Sequence, residues 1–183
     1  GDLDGQTNNG FSDAFISKYN PDGTKDWTKL LGDLDYDYGN ALTTGSDGSI
    51  YIAGGTRSDL DGQINNGEND AFISKYNSYG TKEWTRLLGT YYIDNGINLT
   101  TGSDGSIYFI GNTYGDLDGQ TNNNNGSNNE YASTDAFISK FNPDGTKEWT
   151  RLLGTSDDDY GSALTTGSDG SIYIAGYTGG DLD

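Results

Sequence analysis

The stretch ALTTGSDGSIYIAG, residues 41–54, returns as NLTTGSDGSIYFIG at residues 98–111 and again as ALTTGSDGSIYIAG at residues 163–176. Within it, Ala41–Thr44 is a short run that ends at Ser46-Asp47-Gly48. Ser49–Ala53 is β-branched and aromatic and stops at Gly54-Gly55. An Asp-Gly step between two such runs is a hairpin signal, because glycine enters positive φ without steric cost. Working outward, DAFISKYN at Asp13 and Asp70 and DAFISKFN at Asp135 supply a third run, which Asn20-Pro21-Asp22-Gly23 closes in the first copy. The fourth run, Thr24–Leu31 in the first copy, holds the tryptophan of TKDWTKLLG and of two TKEWTRLLG copies: Trp27, Trp84 and Trp149. The tryptophans stand 57 and 65 residues apart, and the surplus falls in the Asn-rich stretch between Gly119 and Asp135, read as a loop insertion.

No run keeps a helical period and each is strand-length, so the pattern predicts an all-β protein with four short antiparallel strands per unit. A unit of this length with four hairpin-linked strands fits a β-propeller blade. A β-sandwich and an open β-solenoid are the competing arrangements, but solenoid repeats are usually shorter and contain fewer turns.

The order D-A-F-[IV]-x-K-[FY]-N-P-D-G-T-x-x-W, then LLG, an Asp-rich turn, and SDGSIYIAG resembles the bacterial SBBP (β-propeller) repeat family over essentially the whole chain. That resemblance implies a propeller in a secreted or cell-surface bacterial setting, without implying one activity. The DLDG-x-x-x-N-x-G segment departs from the commonest family pattern. By analogy with related repeats, the SDG run is the innermost strand, SIYIAG the second, DAFISKYN the third and the Trp run the outermost. Residues 1–38 are then a half blade of strands three and four, and 39–95 a blade. Residues 96–160 are a blade with the insertion, and 161–183 a half blade of strands one and two. Because the sequence stops at Gly180-Asp181-Leu182-Asp183, the reading expects part of a longer array, or two copies closing one ring. Its expected partners are therefore further blades or its own copies.

The balance of 28 acidic to 10 basic residues gives a net charge of −18, which disfavours nucleic acid and anionic membranes and favours cations. No window approaches the ~18 apolar residues of a membrane span. Cysteine and histidine are absent, which excludes disulfides, thiolate or imidazole metal sites, and nucleophile–His catalysis within this chain.

The motif DLD at Asp2, Asp59, Asp116 and Asp181 suggests Ca²⁺ as a cofactor. Calcium takes six to eight oxygen ligands, and alternate positions of a loop turn their side chains to one centre. The first copy offers Asp2, Asp4, Gln6, Asn8 and Asp13; the second offers Asp59, Asp61, Gln63, Asn65 and Asp70. The third offers Asp116, Asp118, Gln120 and Asn122, with its closing Asp135 delayed by the insertion. The competing reading is that Asp, Asn and Gly simply build turns. A further acidic position, Asp37, Asp94 and Asp159, is shared by all copies and reads as a turn or cap at strand entry.

Paired carboxylates can hydrolyse glycosides, but each Asp here is copied by the repeat, whereas a catalytic centre is asymmetric. The tryptophans read as packing residues between blades, and Lys18, Lys75 and Lys140 as stems buried beside acids. The expectation is a non-catalytic, calcium-stabilised extracellular scaffold or binding surface, with a glycan or a protein as its ligand. The alternative is a calcium-dependent carbohydrate-binding propeller using loop tyrosines such as Tyr36, Tyr91 and Tyr114.

Overall fold

The structure, a computed structural model, describes residues 2–123 and 133–182; the Asn-rich insertion at 124–132 lies outside the described residues. Twelve strands follow one another, and no helix occurs among the described residues. They are β1 (Ala14–Tyr19), β2 (Lys25–Leu31), β3 (Asp37–Thr44), β4 (Ile50–Thr56), β5 (Asp70–Tyr76) and β6 (Lys82–Leu88). The series continues with β7 (Asp94–Thr101), β8 (Ile107–Thr113), β9 (Asp135–Phe141), β10 (Lys147–Leu153), β11 (Asp159–Thr166) and β12 (Ile172–Thr178). Two four-stranded sheets, β3-β4-β5-β6 and β7-β8-β9-β10, stand between two-stranded sheets β1-β2 and β11-β12. All pairings between these strands are antiparallel.

The sheets pack face to face, as blades do. One core joins Ala14, Ile16 and Leu31 of the first sheet to Ile52, Phe72 and Tyr76 of the second. The next joins Tyr51, Ala53 and Ile73 of the second sheet to Leu99, Phe109 and Phe137 of the third. Alternate residues of β4 and β5 thus face opposite neighbours, which is why a strand such as DAFISKY carries apolar groups on both sides. The first strands of successive sheets lie together. The Thr101 hydroxyl donates to Thr44 O at 3.1 Å, and the Thr166 hydroxyl to Thr101 O at 3.2 Å. The tryptophan strand reaches the turn of the following sheet: Trp84 Nε1 donates to Pro143 O at 3.1 Å, and Arg86 Nε to Gly145 O at 3.0 Å.

Two strand boundaries differ from the sequence reading. The first strand begins at Asp37, because Asp37-Tyr38-Gly39 pair with Thr56-Gly55-Gly54. The Gly54-Gly55 pair therefore lies inside β4 and breaks nothing. A side chain on Gly54 would overlap the carbonyl of Tyr38, so close approach across a bulge demands glycine there.

The apolar repeat is partnered unequally. Tyr51 is 1% exposed but its counterpart Tyr173 is 59% exposed, and Phe72 is 0% exposed against 58% for Phe15. The difference lies in the neighbours of the end sheets, since Phe72 and Tyr51 face an adjacent sheet where Phe15 and Tyr173 face none, and not in the residues.

Candidate functional site

Chain direction sorts the connections. The tight turns of SDG and NPDG type lie at one end of the sheets. The loops from second to third strand, and from fourth strand to the next first strand, lie at the other. This loop-bearing end carries most of the acidic and aromatic residues outside the strands.

Each DLDG segment is a two-residue hairpin. In the second copy Leu60 N donates to Gln63 O at 3.0 Å and Gln63 N to Leu60 O at 2.9 Å. Asp61 and Gly62 at its corner have φ of 53° and 74°, the pair of left-handed residues that a type I′ turn needs. Leu3–Gln6 and Leu117–Gln120 repeat the bridge. Leu60 and Leu117 are buried, so the second and third hairpins are pinned by their leucines to the cores between sheets, whereas Leu3 is 38% exposed. The corner carboxylates reach the outermost strand: Asp61 pairs with Lys82 and accepts from the Thr85 hydroxyl, as Asp118 does with Lys147 and Thr150. Asp4 does the same with Lys25 and Thr28, both at 2.5 Å.

The remaining predicted ligands are spread along the loop. Asp59 Oδ1 accepts Asn65 N at 2.9 Å, and Asn65 Nδ2 donates to Thr56 O at 3.0 Å. Asp116 and Asn122 repeat this with Thr113 O at 2.9 and 3.0 Å, while Asp2 accepts Asn8 N at 3.3 Å. Gln6, Gln63 and Gln120 enter through main-chain bonds to their leucines. Asp13, Asp70 and Asp135 each turn Oδ2 to a main-chain N–H, of Asn9, Asn66 and Asn123, at 3.1, 3.0 and 3.0 Å. The structure thus places these residues as turn builders along each loop. Among the described residues no three acidic side chains gather around one point.

The structure brings together a different set. Asp94 Oδ2 accepts Thr90 N at 2.6 Å and the Thr90 hydroxyl at 2.9 Å, closing the loop into the first strand. Asp37 holds Asp33 N at 2.9 Å, and Asp159 holds the N–H of Thr155. These caps stand beside the third-strand aspartates of the preceding sheet, since Asp94 N donates to Asn69 O at 2.7 Å and Asp159 N to Thr134 O at 2.6 Å. The result is three pairs, Asp13 with Asp37, Asp70 with Asp94, and Asp135 with Asp159. Burial pushes Asp94 up to about 7, with the Asp70 charge adding to it, although the nearby Thr113 hydroxyl and the bonds from Thr90 oppose the rise. Burial likewise lifts Asp70 and Asp135 to about 6, the latter helped by Asp159, and raises Asp37, with Asp13 adding to it. The shared position of Asp37, Asp94 and Asp159 was visible in the sequence; its pairing across sheets was not.

Around these pairs lies an aromatic surface. Phe11, 71% exposed, stacks on Tyr36 at 5.1 Å between ring centres, with the Arg57 guanidinium 5.6 Å from the same ring. Tyr91, 76% exposed, meets Tyr92 edge-on at 5.5 Å, and Tyr160 stacks on Tyr177 at 4.8 Å. The Tyr38 hydroxyl lies between Asn95 Oδ1 at 2.6 Å and Asn69 Oδ1 at 3.0 Å, tying one sheet's loops to the next. The predicted lysines pair with acids of the neighbouring strand: Lys18 with Asp26 at 2.9 Å, Lys75 with Glu83 at 3.0 Å and Lys140 with Glu148 at 2.9 Å. Among the described residues no helix is long and apolar enough to cross a membrane.

Comparison with known proteins agrees with this architecture. A family model described as SBBP, β-propeller repeat, matches residues 148–183. A second, a β-propeller domain of unknown function (DUF5122), matches residues 3–28. The chain is 30% identical over 145 residues to the regulatory protein FlaEY of Caulobacter vibrioides, covering 76% of this chain and 15% of that protein. It is 25% identical over 185 residues to the uncharacterized WD repeat-containing protein L264 of Acanthamoeba polyphaga mimivirus, covering 84% of this chain and 13% of that one. The chain thus spans less than a sixth of either relative. Strand order, face-to-face packing and matched motifs identify it as an array of β-propeller repeats, matched by the SBBP repeat at residues 148–183.

Proposed function

We propose that this chain is a non-catalytic propeller module whose loop-bearing end is a docking surface for a protein partner. The observation that carries this reading is the exposed aromatic set at that end, Phe11, Tyr36, Arg57 and Tyr91, framed by acidic loops. Rings and arginine held by their neighbours supply contact area at low entropic cost, and such residues dominate binding energy at protein interfaces. The net charge of −18 favours a partner with a basic surface and speeds encounter with it at low salt. The printed names of the relatives, a regulatory protein and a WD repeat-containing protein, are in keeping with an interaction role. The repetition of every acidic position also speaks for a repeated surface over a single reacting centre.

The test is capture of partners from a lysate of the source cells on immobilised wild-type chain, Tyr36→Ala/Tyr91→Ala, and Tyr79→Ala. Tyr79 is 83% exposed on a turn at the opposite end and serves as the control. Bands retained by wild type and Tyr79→Ala and lost from the double variant are expected. Equal retention by all three sinks the reading.

A further inference from the structure

The paired aspartates pose a problem of charge. Asp70 and Asp94 are each 0% exposed, and so is Asp135; Asp159 is 2% exposed. Each member uses Oδ2 to cap a loop, while among the described residues Oδ1 of Asp13, Asp37, Asp70, Asp94, Asp135 and Asp159 has no hydrogen-bond partner. The same atom is left over in all three copies, on both members of each pair. Buried carboxylate oxygens with no donor cost free energy, and a recurring set of them indicates a missing positive group.

The protein's own cations do not supply it. The lysine bridges run to Asp4, Asp26, Asp47, Asp61, Glu83, Asp104, Asp118 and Glu148, none of them a member of a pair. Geometry brings the two carboxylates of a pair to one step of the chain. A methyl on Gly89 would overlap the Asp70 carboxylate at Oδ1, and the next residue, Thr90, is the one capped by Asp94. Both carboxylates therefore approach the Gly89–Thr90 step. Gly32 with Asp13, and Gly154 with Asp135, repeat the arrangement next to the caps on Asp33 and Thr155.

We propose that each pair, most completely Asp70 with Asp94 and Asp135 with Asp159, seats one hard divalent cation of the calcium or magnesium class between adjacent blades. Two carboxylate oxygens supply part of such an ion's shell, and main-chain carbonyls or water complete it. The ion offsets the two buried charges and fastens the third strand of one blade to the first strand of the next. The seat is distinct from the DLDG hairpin, whose Asp61 is committed to Lys82 and Thr85.

The test is melting and isothermal titration of EDTA-stripped chain at pH 7.5 with CaCl₂ and, separately, MgCl₂. Wild type, Asp94→Asn and Asp61→Asn are compared. Saturating binding of one of the ions is expected, with a melting temperature raised by roughly 5 °C or more at a hundredfold excess over Kd. Asp94→Asn should bind one ion fewer per chain, and Asp61→Asn should match wild type. If Asp94→Asn does not fold, Tb³⁺ luminescence on wild type, quenched by competing Ca²⁺ or Mg²⁺, is the expected substitute. No heat, melting shift or Tb³⁺ signal overturns the proposal. So does a response lost in Asp61→Asn but kept in Asp94→Asn. A melting temperature in EDTA that climbs from pH 8 to pH 5 and ignores both cations assigns the pairs a shared proton, which also overturns it.

Discussion

Phe72 and Phe15 occupy the same place in two copies of DAFISKY, yet only one has its neighbours. Phe72 sits in β5, opposite Gly54 on one side and Leu87 on the other, and is 0% exposed; Phe15 in β1 pairs only with Leu30 and is 58% exposed. Truncating a fully buried phenylalanine removes its transfer energy and leaves a cavity, so Phe72→Ala should cost about 3–5 kcal/mol. Phe15 buries under half of its surface and leaves no enclosed void, so Phe15→Ala should cost only about 1 kcal/mol on area alone. Urea unfolding followed by tryptophan fluorescence reads both, with the midpoint shift multiplied by a slope shared among variants. Because the three tryptophans lie on β2, β6 and β10, a separate early transition of the end sheet would also register. Equal losses for the two variants would refute the claim that neighbouring strands and sheets, and not sequence, set the stability of each copy.

Three further outcomes follow from the same packing. Trp84→Phe removes the 3.1 Å bond to Pro143 O and should cost about 1 kcal/mol, whereas Trp27→Phe should cost less, because Trp27 Nε1 is buried without a partner; paired urea curves check this. Gly96→Ala would set a methyl 2.5 Å from Phe109 Cζ and 2.6 Å from Gly54 O, between two sheets, and should lower stability by about 1–3 kcal/mol by calorimetry or urea unfolding. Asp47 is held below its ordinary 3.8 by the Ser49 N–H and then by its hydroxyl, with Asp104 and Ser106 alike. A lowered folded value means that the turn's contribution is present above the unfolded value and lost as pH falls through the folded one. Carbon-detected NMR should therefore place both midpoints below 3.8, and Asp47→Asn should flatten that part of the acid dependence.

The sequence was most legible where the chemistry is local. Asp47-Gly48 and Pro21-Asp22-Gly23 marked turns because Gly48 and Gly23 take φ of 80° and 84°, a demand written in the residue itself. Gly54-Gly55 read as a stop for the same reason, wrongly, since their cause is Tyr38 approaching from another strand, its main chain against Gly54 and its ring against Gly55. The DLDG loops show the same limit. Their Asp and Gly spacing fits a metal loop and a type I′ hairpin equally well, and what separates the two is Lys82, twenty-one residues away. The pairing of Asp70 with Asp94 depends on the rotation from one blade to the next, which no spacing within one copy encodes.

Near-verbatim repetition also bears on how this chain reaches its fold. The slots beside β4 and β8 accept strands identical but for the last residue, Tyr76 or Phe141, both 2% exposed. A nascent or refolding chain that exchanges these strands satisfies nearly every hydrogen bond and apolar contact and errs only in the path of its loops. Discrimination between correct and exchanged assemblies therefore falls to connection length and to order of synthesis, and refolding from denaturant at high concentration should yield intertwined molecules.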